Sequence, residues 1–380
     1  MPYVESITNV LNDHLGWHRA RLKLMARFQL ALEKLQTTNL RKIAASLKAG
    51  VKEESNYRRI QRFLSGYDVD FTALGRLLVT LLPQEGPYVA VLDRTEWHFG
   101  SAPVNVLMMG IAHKGVAFPV AWKVLQSGGG SGAKSHIDVL KRFLSIIGPT
   151  SIEAVLADRE FISVDWMRHL KEKNIPFAIR LRSNRGVGLS PEGASLPVRM
   201  FARPIPPGEE KVLEAKRCLS GSQEVGKKQH VAVRIVIRRV GSEDSSGEAE
   251  DPFLVLATSR LNPEEATSLY RRRWEVETMF AALKSRGFNL EETHLTAPDR
   301  VERLIGLLAL AFGWAHLAGE KRTAREGPPR QKTHGRRARS LFRYGLDWLQ
   351  SILTTPEKQD AALFLCLSGL RSPSTFLAAS

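Results

Sequence analysis

Two short apolar runs, each ending in an aspartate, constrain the fold of this chain most strongly. They are YVAVLD (88–93) and IEAVLAD (152–158), and Asp93 and Asp158 are their last residues. Continuous apolar runs of this length are typical of strands buried on both faces of a sheet. In open α/β sheets, chemistry gathers beyond the carboxyl ends of such strands. We therefore predict a buried sheet that places two carboxylates at one edge.

The rest of the central segment predicts a mixed sheet with helices on its faces. Apolar runs predict three more strands, at 104–113, 117–125 and 176–182. Amphipathic patterns predict two helices, at 136–148 and 163–173. The order β-β-β-α-β-α-β is that of an α/β fold. From 183 to 260, alternating runs such as VAVRIVIRRV (231–240) predict a β-rich insertion.

Residues 1–80 have the pattern of a helical region. Within it, NLRKIAASLKAGVKEESNYRRIQRFLSG (39–66) predicts a helix, a turn around Gly50 and a second, arginine-rich helix. Such a pair is either a DNA-binding helix-turn-helix or an ordinary helical hairpin with a solvated basic face. In the first case the second helix would offer four side chains to DNA: Asn56, Arg58, Arg59 and Arg62.

The formal net charge of +16 favours a polyanionic partner, nucleic acid first and an anionic membrane surface second. Nine lysines and arginines oppose two glutamates between 320 and 343, and the aromatic residues just after this run predict a packed helix. The apolar stretch 304–319 is short for a membrane span and predicts a buried helix. Two cysteines and an N-terminus without a signal-peptide pattern fit a cytoplasmic protein.

The segment YRRRWEVETMFAALK (270–284) has the pattern of an amphipathic helix. At about 100° per residue, one narrow stripe would contain Tyr270, Arg273, Glu277 and Lys284. The adjacent apolar face would contain Val276, Met279, Phe280 and Leu283. For an isolated helix this stripe could equally be a salt-bridged surface.

Together with the two strand-end aspartates, the stripe predicts a metal-binding site. Asp93, Asp158 and Glu277 would form a set of three carboxylates, which suits hard cations such as Mg²⁺ or Mn²⁺. Two such ions, about 3.5–4 Å apart, can support phosphodiester cleavage. Arg273 and Lys284 would then bind phosphate. A glycosidase would also use two carboxylates, but it would not explain the basic terminal regions.

Three motifs together resemble the DDE transposases of bacterial insertion sequences, in the cut-and-paste subgroup with the YREK signature. These motifs are DRTEW (93–97), ADREF (157–161) and Y-x2-R-x3-E-x6-K (270–284). The resemblance extends from NYRRIQRF (56–63) to the apolar helix near 304–317. It implies a ribonuclease H-like catalytic core in which Asp93, Asp158 and Glu277 hold two Mg²⁺ ions, with Mn²⁺ able to substitute.

The resemblance also implies an activity and partners. The enzyme would nick DNA at the terminal inverted repeats, and the freed 3′-OH would attack the other strand or target DNA. Tyr270, Arg273 and Lys284 would contact the DNA backbone, and the active assembly would be a synaptic homodimer in the bacterial cytoplasm, associated with the nucleoid and not with a membrane. Two alternatives remain open at this point: a ribonuclease H-like nuclease or resolvase without strand transfer, and a non-catalytic, domesticated DNA-binding protein.

The expected domain division follows the composition. It comprises a helical DNA-binding domain (1–80), the catalytic core (81–182 and 261–320), the β-rich insertion (183–260) and a basic helical region for DNA contact or dimerisation (321–380). The insertion contains no tryptophan that could hold a flipped base. Trp97 is expected to pack beneath the first strand, and Trp274 to pack in the core, with base stacking as the alternative.

Overall fold

A computed structural model describes residues 2–47, 50–125, 131–191, 193–224, 227–239, 252–331, 333 and 337–355. The strands are β1 (Tyr88–Phe99), β2 (Ala102–His113), β3 (Val116–Leu125), β4 (Ile152–Ala157), β5 (Phe177–Leu181), β6 (Gly186–Gly188), β7 (Ser195–Pro197), β8 (Glu210–Glu224), β9 (Lys227–Arg239) and β10 (Phe253–Ser259). The helices are α1 (Pro2–Leu15), α2 (Arg19–Leu35), α3 (Leu40–Ser46), α4 (Glu53–Gly66), α5 (Phe71–Thr80), α6 (Ala133–Ile147), α7 (Val164–Glu172), α8 (Arg199–Ala202), α9 (Pro263–Tyr270), α10 (Glu275–Leu283), α11 (Pro298–Glu326) and α12 (Leu341–Thr354).

The described strands form one sheet in the order β3-β2-β1-β4-β5-β10-β9-β8-β6-β7. β1, β2 and β3 pair antiparallel, whereas β1, β4 and β5 pair parallel. This arrangement confirms the expected ribonuclease H-like mixed sheet with flanking helices. The strands of the β-rich insertion extend the same sheet, because β10 pairs with both β5 and β9.

The register of β1 and β4 fixes the position of the two aspartates. Leu92 is aligned with Ala157 in the parallel pair, so Asp93 and Asp158 are the next residues of the two strands. The expectation that β1 ends at Asp93 is wrong, since β1 continues to Phe99 while it pairs with β2. Asp93 therefore lies within a strand, at the level where its parallel neighbour ends.

The long helix α11 forms the centre of the helical layer and confirms the predicted buried helix. It packs against β3, α2 and α12. Gln29 of α2 donates a hydrogen bond to the Leu307 carbonyl at 2.9 Å. Within the described residues, α11 alone is long and apolar enough to cross a membrane, and 89% of its most apolar stretch is buried. Its apolar side chains thus have protein neighbours.

The helices at both ends of the chain pack onto the same core. α3 and α4 confirm the predicted helix pair, and Thr38 Oγ1 donates to the Asn289 carbonyl at 2.7 Å. The predicted packed helix after the basic run is also confirmed, since Phe342 of α12 is fully buried. The expected boundary at 320/321 falls inside α11.

Candidate active site

Asp93 lies in a partly enclosed, carboxylate-rich position. Its side chain is 14% exposed, and its Oδ1 accepts a hydrogen bond from the Arg94 backbone amide at 2.8 Å. Burial raises the pKa of Asp93 to about 7, and the carboxylates of Glu160 and Asp158 add to the rise. The Arg94 amide and the Arg273 guanidinium act in the opposite direction. Additional positive charge would therefore be stabilised here.

Asp158 follows β4 directly and precedes a short 3₁₀ turn, Arg159–Phe161. The Tyr270 hydroxyl donates a hydrogen bond to Asp158 Oδ1 at 3.3 Å. Tyr270 is buried, and burial together with the neighbouring Asp158 charge raises the pKa of its phenol. A phenol that keeps its proton is a fixed donor, so Tyr270 orients the Asp158 carboxylate.

The prediction of one continuous helix over 270–284 is wrong. α9 ends at Tyr270, a 3₁₀ turn covers Arg271–Trp274, and α10 begins at Glu275. A 3₁₀ turn has about three residues per turn, which brings residues three apart to the same side. Tyr270 and Arg273 consequently both point toward the sheet edge, where each contacts one of the aspartates. The predicted apolar face is confirmed as buried: Val276, Met279, Phe280 and Leu283.

Arg273 connects the carboxylates that sequence reasoning grouped together. Its guanidinium lies 3.6 Å from Asp93 Oδ2 and donates a hydrogen bond to Glu277 Oε1 at 2.6 Å. Glu277 itself is 59% exposed. Among the described residues, these three carboxylates do not form a group whose ligand atoms all lie within 4.8 Å of one another. Arg273 thus occupies the position between Asp93 and Glu277.

Lys284, Trp97 and Trp274 are the remaining residues that the sequence singled out near this edge of the sheet. Lys284 Nζ donates to the Glu96 carbonyl at 3.2 Å, pairs with Glu291 at 3.0 Å and lies 5.4 Å from the centre of the Trp97 ring. Trp97 is buried, as expected. Trp274 is 53% exposed, so its expected core packing is wrong. The 3₁₀ turn explains this, because it rotates Trp274 away from the sheet while Arg273 faces it.

The donor set at this edge fits divalent cations. Carboxylate oxygens are hard ligands of the kind that Mg²⁺ and Mn²⁺ prefer. The raised pKa of Asp93 records mutual repulsion and burial that a bound cation would offset. Glu277 is exposed enough to change rotamer, and the polar contact that the described part of the chain shows for it is the one with Arg273. Asp93, Asp158 and Glu277 would be the residues that hold such ions.

Several residues near the site were missed by sequence reasoning. Glu160 pairs with Arg94 at 3.0 Å, next to Asp93. A cleft of about 600 Å³ lies beside Asp158, and four arginines line it: Arg159, Arg180, Arg182 and Arg199. The positive charge of Arg180 also acts on Tyr270, which connects the cleft with the site. Two of these arginines alternate in the run IRLR at the end of β5, a signal that was available in the sequence.

The N-terminal arginines form a second basic surface. Arg58, Arg59 and Arg62 are exposed on α4, and Arg58 pairs with Glu54 at 3.3 Å. Arg59 and Arg62 line a groove of about 680 Å³ between α2 and α4, together with three basic residues of α2: Arg21, Lys23 and Arg27. Asn56 is buried, and its amide donates to the Ala44 carbonyl at 3.4 Å. In the helix-turn-helix interpretation Asn56 would be offered to DNA, and that part of the interpretation is wrong because its amide holds α4 against α3.

The basic run 320–343 is divided between packed and exposed side chains, and four of its described arginines are exposed: Arg325, Arg330, Arg337 and Arg339. Lys321 is buried, the guanidinium of Arg322 lies 4.1 Å from the centre of the Tyr344 ring, and Arg339 pairs with Asp347 at 2.7 Å. Two of the nine predicted basic residues, at 332 and 336, lie outside the described residues.

Comparison with known proteins identifies the family. A family model described as the transposase DDE domain matches residues 87–314, more than half of the chain. No curated protein matches the chain. The matched segment includes Asp93, Asp158 and the interrupted helix with Arg273 and Glu277. The chain therefore belongs to the family of transposases with a DDE domain, which act on DNA and use divalent metal ions.

Proposed function

We propose that this transposase cleaves DNA at the ends of a bacterial insertion sequence and joins the freed ends to target DNA, as the YREK subgroup of DDE transposases does. The observation that carries this proposal is the edge of β1 and β4, where Tyr270 contacts Asp158 and Arg273 contacts both Asp93 and Glu277. One short segment thereby reaches all three carboxylates. If this segment were only a salt-bridged surface, a buried Tyr270 hydrogen-bonded to Asp158 would have no role in it.

Asp93, Asp158 and Glu277 are the proposed ligands of two Mg²⁺ ions, for which Mn²⁺ would substitute. When bound, the ions supply Lewis-acid activation of an attacking oxygen and stabilisation of the leaving oxygen in phosphodiester cleavage. Tyr270 holds the Asp158 carboxylate in one orientation through its hydrogen bond. Asp93 and Asp158 are both partly exposed, so a DNA backbone can approach their carboxylates.

Arg273 has two proposed roles, one before and one after Glu277 turns toward the aspartates. In the structure it pairs with Glu277, which supplies positive charge to a carboxylate-rich edge. When Glu277 turns toward the aspartates, the Arg273 guanidinium becomes available for a scissile or neighbouring phosphate, which it can bind through two hydrogen bonds. Lys284, beside β1, is the second proposed phosphate contact.

The DNA path in this proposal passes over two basic surfaces. The four-arginine cleft next to Asp158 would bind backbone phosphates close to the cut. The groove between α2 and α4 would bind the terminal inverted repeat through Arg59 and Arg62, and the exposed Arg58 of the same helix would add a further contact. The proposed domain division is the one expected from composition, with residues 1–80 binding the element end and a synaptic homodimer as the active assembly.

A cleavage and joining assay tests the proposal. The full chain is incubated with labelled double-stranded element ends and Mg²⁺, and the nicked, hairpin and joined products are separated. We expect Asp93→Asn, Asp158→Asn and Glu277→Gln each to lower cleavage on the order of 10³-fold, because each removes a charged ligand. The matched control is Glu264→Gln, which changes an exposed glutamate of α9. This variant should cleave DNA as the wild type does.

The products also separate the alternatives. Cleavage without joining of a precut end would identify a nuclease or resolvase and overturn the strand-transfer step. Binding without cleavage by the wild-type chain would identify a domesticated DNA-binding protein. Normal cutting by the three carboxylate variants would overturn the assignment of the site.

A further inference from the structure

A second group of potential metal ligands lies away from the carboxylate edge. His113, at the end of β2, and His316 and Glu320, one turn apart on α11, converge in the protein interior. Each of the three residues is at most 6% exposed. One ligand atom from each residue lies within 4.8 Å of the other two, and this is the only such group among the described residues.

The hydrogen-bond geometry leaves a place for a cation. Nε2 of His113 lies 2.7 Å from Glu320 Oε1, and Nε2 of His316 lies 3.1 Å from the same oxygen. Nδ1 of His113 faces the amide oxygen of Gln84 at 2.9 Å, so Nδ1 carries the proton there. In a neutral His113, the Nε2 lone pair then points at a carboxylate oxygen. That arrangement is repulsive unless a proton or a metal ion lies between the two atoms.

We propose that His113, His316 and Glu320 form a structural Zn²⁺ site. Two imidazoles and one carboxylate are ordinary ligands for this ion. A tetrahedral ion with bonds of about 2.0–2.1 Å separates its ligand atoms by about 3.3 Å. The observed spacings of 2.7 and 3.1 Å would therefore open by about 0.6 and about 0.2 Å when the ion binds. The Gln84 contact supplies the outer hydrogen bond that typically fixes the tautomer of a metal-bound histidine.

Neighbouring charges explain how the site is balanced without the ion. Lys114 pairs with the second oxygen of Glu320, and its own side chain is 54% exposed, so it can swing into solvent. The space left by the ammonium group would admit a water molecule as the fourth ligand of a tetrahedral ion. Glu275 is also buried nearby and contacts the His113 backbone, and one of its oxygens has no hydrogen-bond partner among the described residues. An ion of charge +2 would thus lie close to two carboxylates.

The location indicates what the ion would do. Glu275 is the first residue of α10, and Arg272, in the preceding 3₁₀ turn, donates to the Ala112 carbonyl at 2.6 Å, next to His113. The Zn²⁺ site would therefore join β2 and α11 directly beneath the segment that carries Arg273 and Glu277. Its role is to hold β2 and α11 in place beneath the segment that carries Arg273 and Glu277. This role is independent of the ions that Asp93, Asp158 and Glu277 would hold.

Spectroscopy on the full chain tests the site. After removal of metals with a chelator, the protein is titrated with Co²⁺, whose tetrahedral complexes absorb visible light much more strongly than its octahedral ones. We expect one equivalent to give the tetrahedral spectrum and one equivalent of Zn²⁺ to abolish it. In thermal unfolding, Zn²⁺ at a hundredfold excess over its Kd should raise Tm by about 3 °C.

Variants distinguish this site from other histidines and from the acidic edge. His316→Gln should lose the spectrum and the Tm shift, whereas the exposed His14→Gln should retain both. Asp158→Asn should also retain both, so failure of the catalytic proposal would not affect this result. Lys114→Met removes the competing cation from an exposed position and should lower the Kd for Zn²⁺ on the order of tenfold.

The opposite results would overturn the site. An octahedral Co²⁺ spectrum, or an equal Tm shift in the wild type and His316→Gln, would leave a hydrogen-bonded His–Glu–His network with a proton in place of the ion. If His316→Gln does not fold, Lys114→Met decides the question, since an unchanged Kd for Zn²⁺ contradicts the proposal.

Discussion

At the scale of single residues, Arg273 supplies positive charge to the carboxylate-rich edge of the sheet. It approaches Asp93 and Glu277 from one position, while Tyr270 contacts Asp158. The sequence predicted these residues as one group from their spacing. The direction of each side chain depended on the 3₁₀ turn, which a helical wheel with a constant angle per residue does not describe.

The pKa of Asp93 predicts a pH-dependent stability. Because the folded-state pKa is raised from 3.8 to about 7, the stability contributed by the protonated form is lost as pH rises from about 4 through 7. In metal-free protein at about pH 8, Asp93→Asn should therefore raise the free energy of unfolding by about 3 kcal/mol. Denaturant unfolding at about pH 4 and pH 8 measures this.

At about pH 4 the gain should nearly disappear, since Asp93 is then neutral in the folded protein. Asp13→Asn, at an exposed position of α1, serves as the control and should change stability little at either pH. A gain of equal size at both values would contradict burial of a charged Asp93.

Trp274 predicts a contact with unpaired bases. It is a large exposed aromatic side chain next to Arg273. Stacking of a base on an aromatic ring contributes about 1–3 kcal/mol, so Trp274→Ala should weaken binding of DNA with unpaired bases near the cut about 5- to 140-fold. Fluorescence anisotropy measures this, and Trp274→Phe should retain most of the affinity.

The stability of the Trp274→Ala variant provides the control. An exposed substitution of this kind should change the free energy of unfolding by less than about 0.5 kcal/mol. Equal affinities of Trp274→Ala and the wild type would show that the ring does not contact the DNA.

At the scale of elements, local sequence patterns predicted the helices and strands of the core. They did not predict where two helices pack closely against each other. α11 and α12 cross where glycines face each other's backbone. A Cβ at Gly345 would lie 1.9 Å from the Ala315 carbonyl oxygen, and one at Gly319 would lie equally close to the Leu341 carbonyl oxygen. Neither glycine stands out in the sequence, because the need for it arises only when two distant helices meet.

Gly345→Ala should therefore destabilise the protein by about 2 kcal/mol or more. The added methyl group would meet a helix backbone, which cannot move aside as a flexible side chain does. Gly66→Ala, at the end of α4 with open space around it, is the matched control and should be neutral or slightly stabilising. Thermal unfolding of both variants measures the difference, and equal Tm values would contradict the tight crossing.

At the scale of the whole molecule, the net charge is +16, and the fold brings basic residues together in two surfaces. The groove between α2 and α4 combines basic residues from two helices, and the cleft beside Asp158 combines arginines from β5, α8 and the turn after β4. The bulk charge predicted a nucleic-acid partner. The identity of the surfaces could not be predicted, because each surface combines residues that are far apart in sequence.

The groove predicts a change in the salt dependence of DNA binding. Arg59→Ala/Arg62→Ala should reduce the slope of log K against log salt concentration by about 2, because two phosphate contacts are lost. Lys141→Ala, at an exposed position of α6, should leave the slope close to that of the wild type. A parallel loss of affinity at all salt concentrations, with an unchanged slope, would contradict a direct phosphate contact.

The sequence by itself determined the mixed sheet, the two aspartates at adjacent strands, the buried helix α11 and the group of residues around Arg273. These features depend on periodicity and spacing within short segments, which local sequence contains. The tertiary structure decided that β1 continues past Asp93, that Trp274 is exposed and that Asn56 is buried. It also brought His113 to His316 and Glu320, across about two hundred residues of the chain. Such contacts depend on how distant segments pack, and no local pattern contains that information.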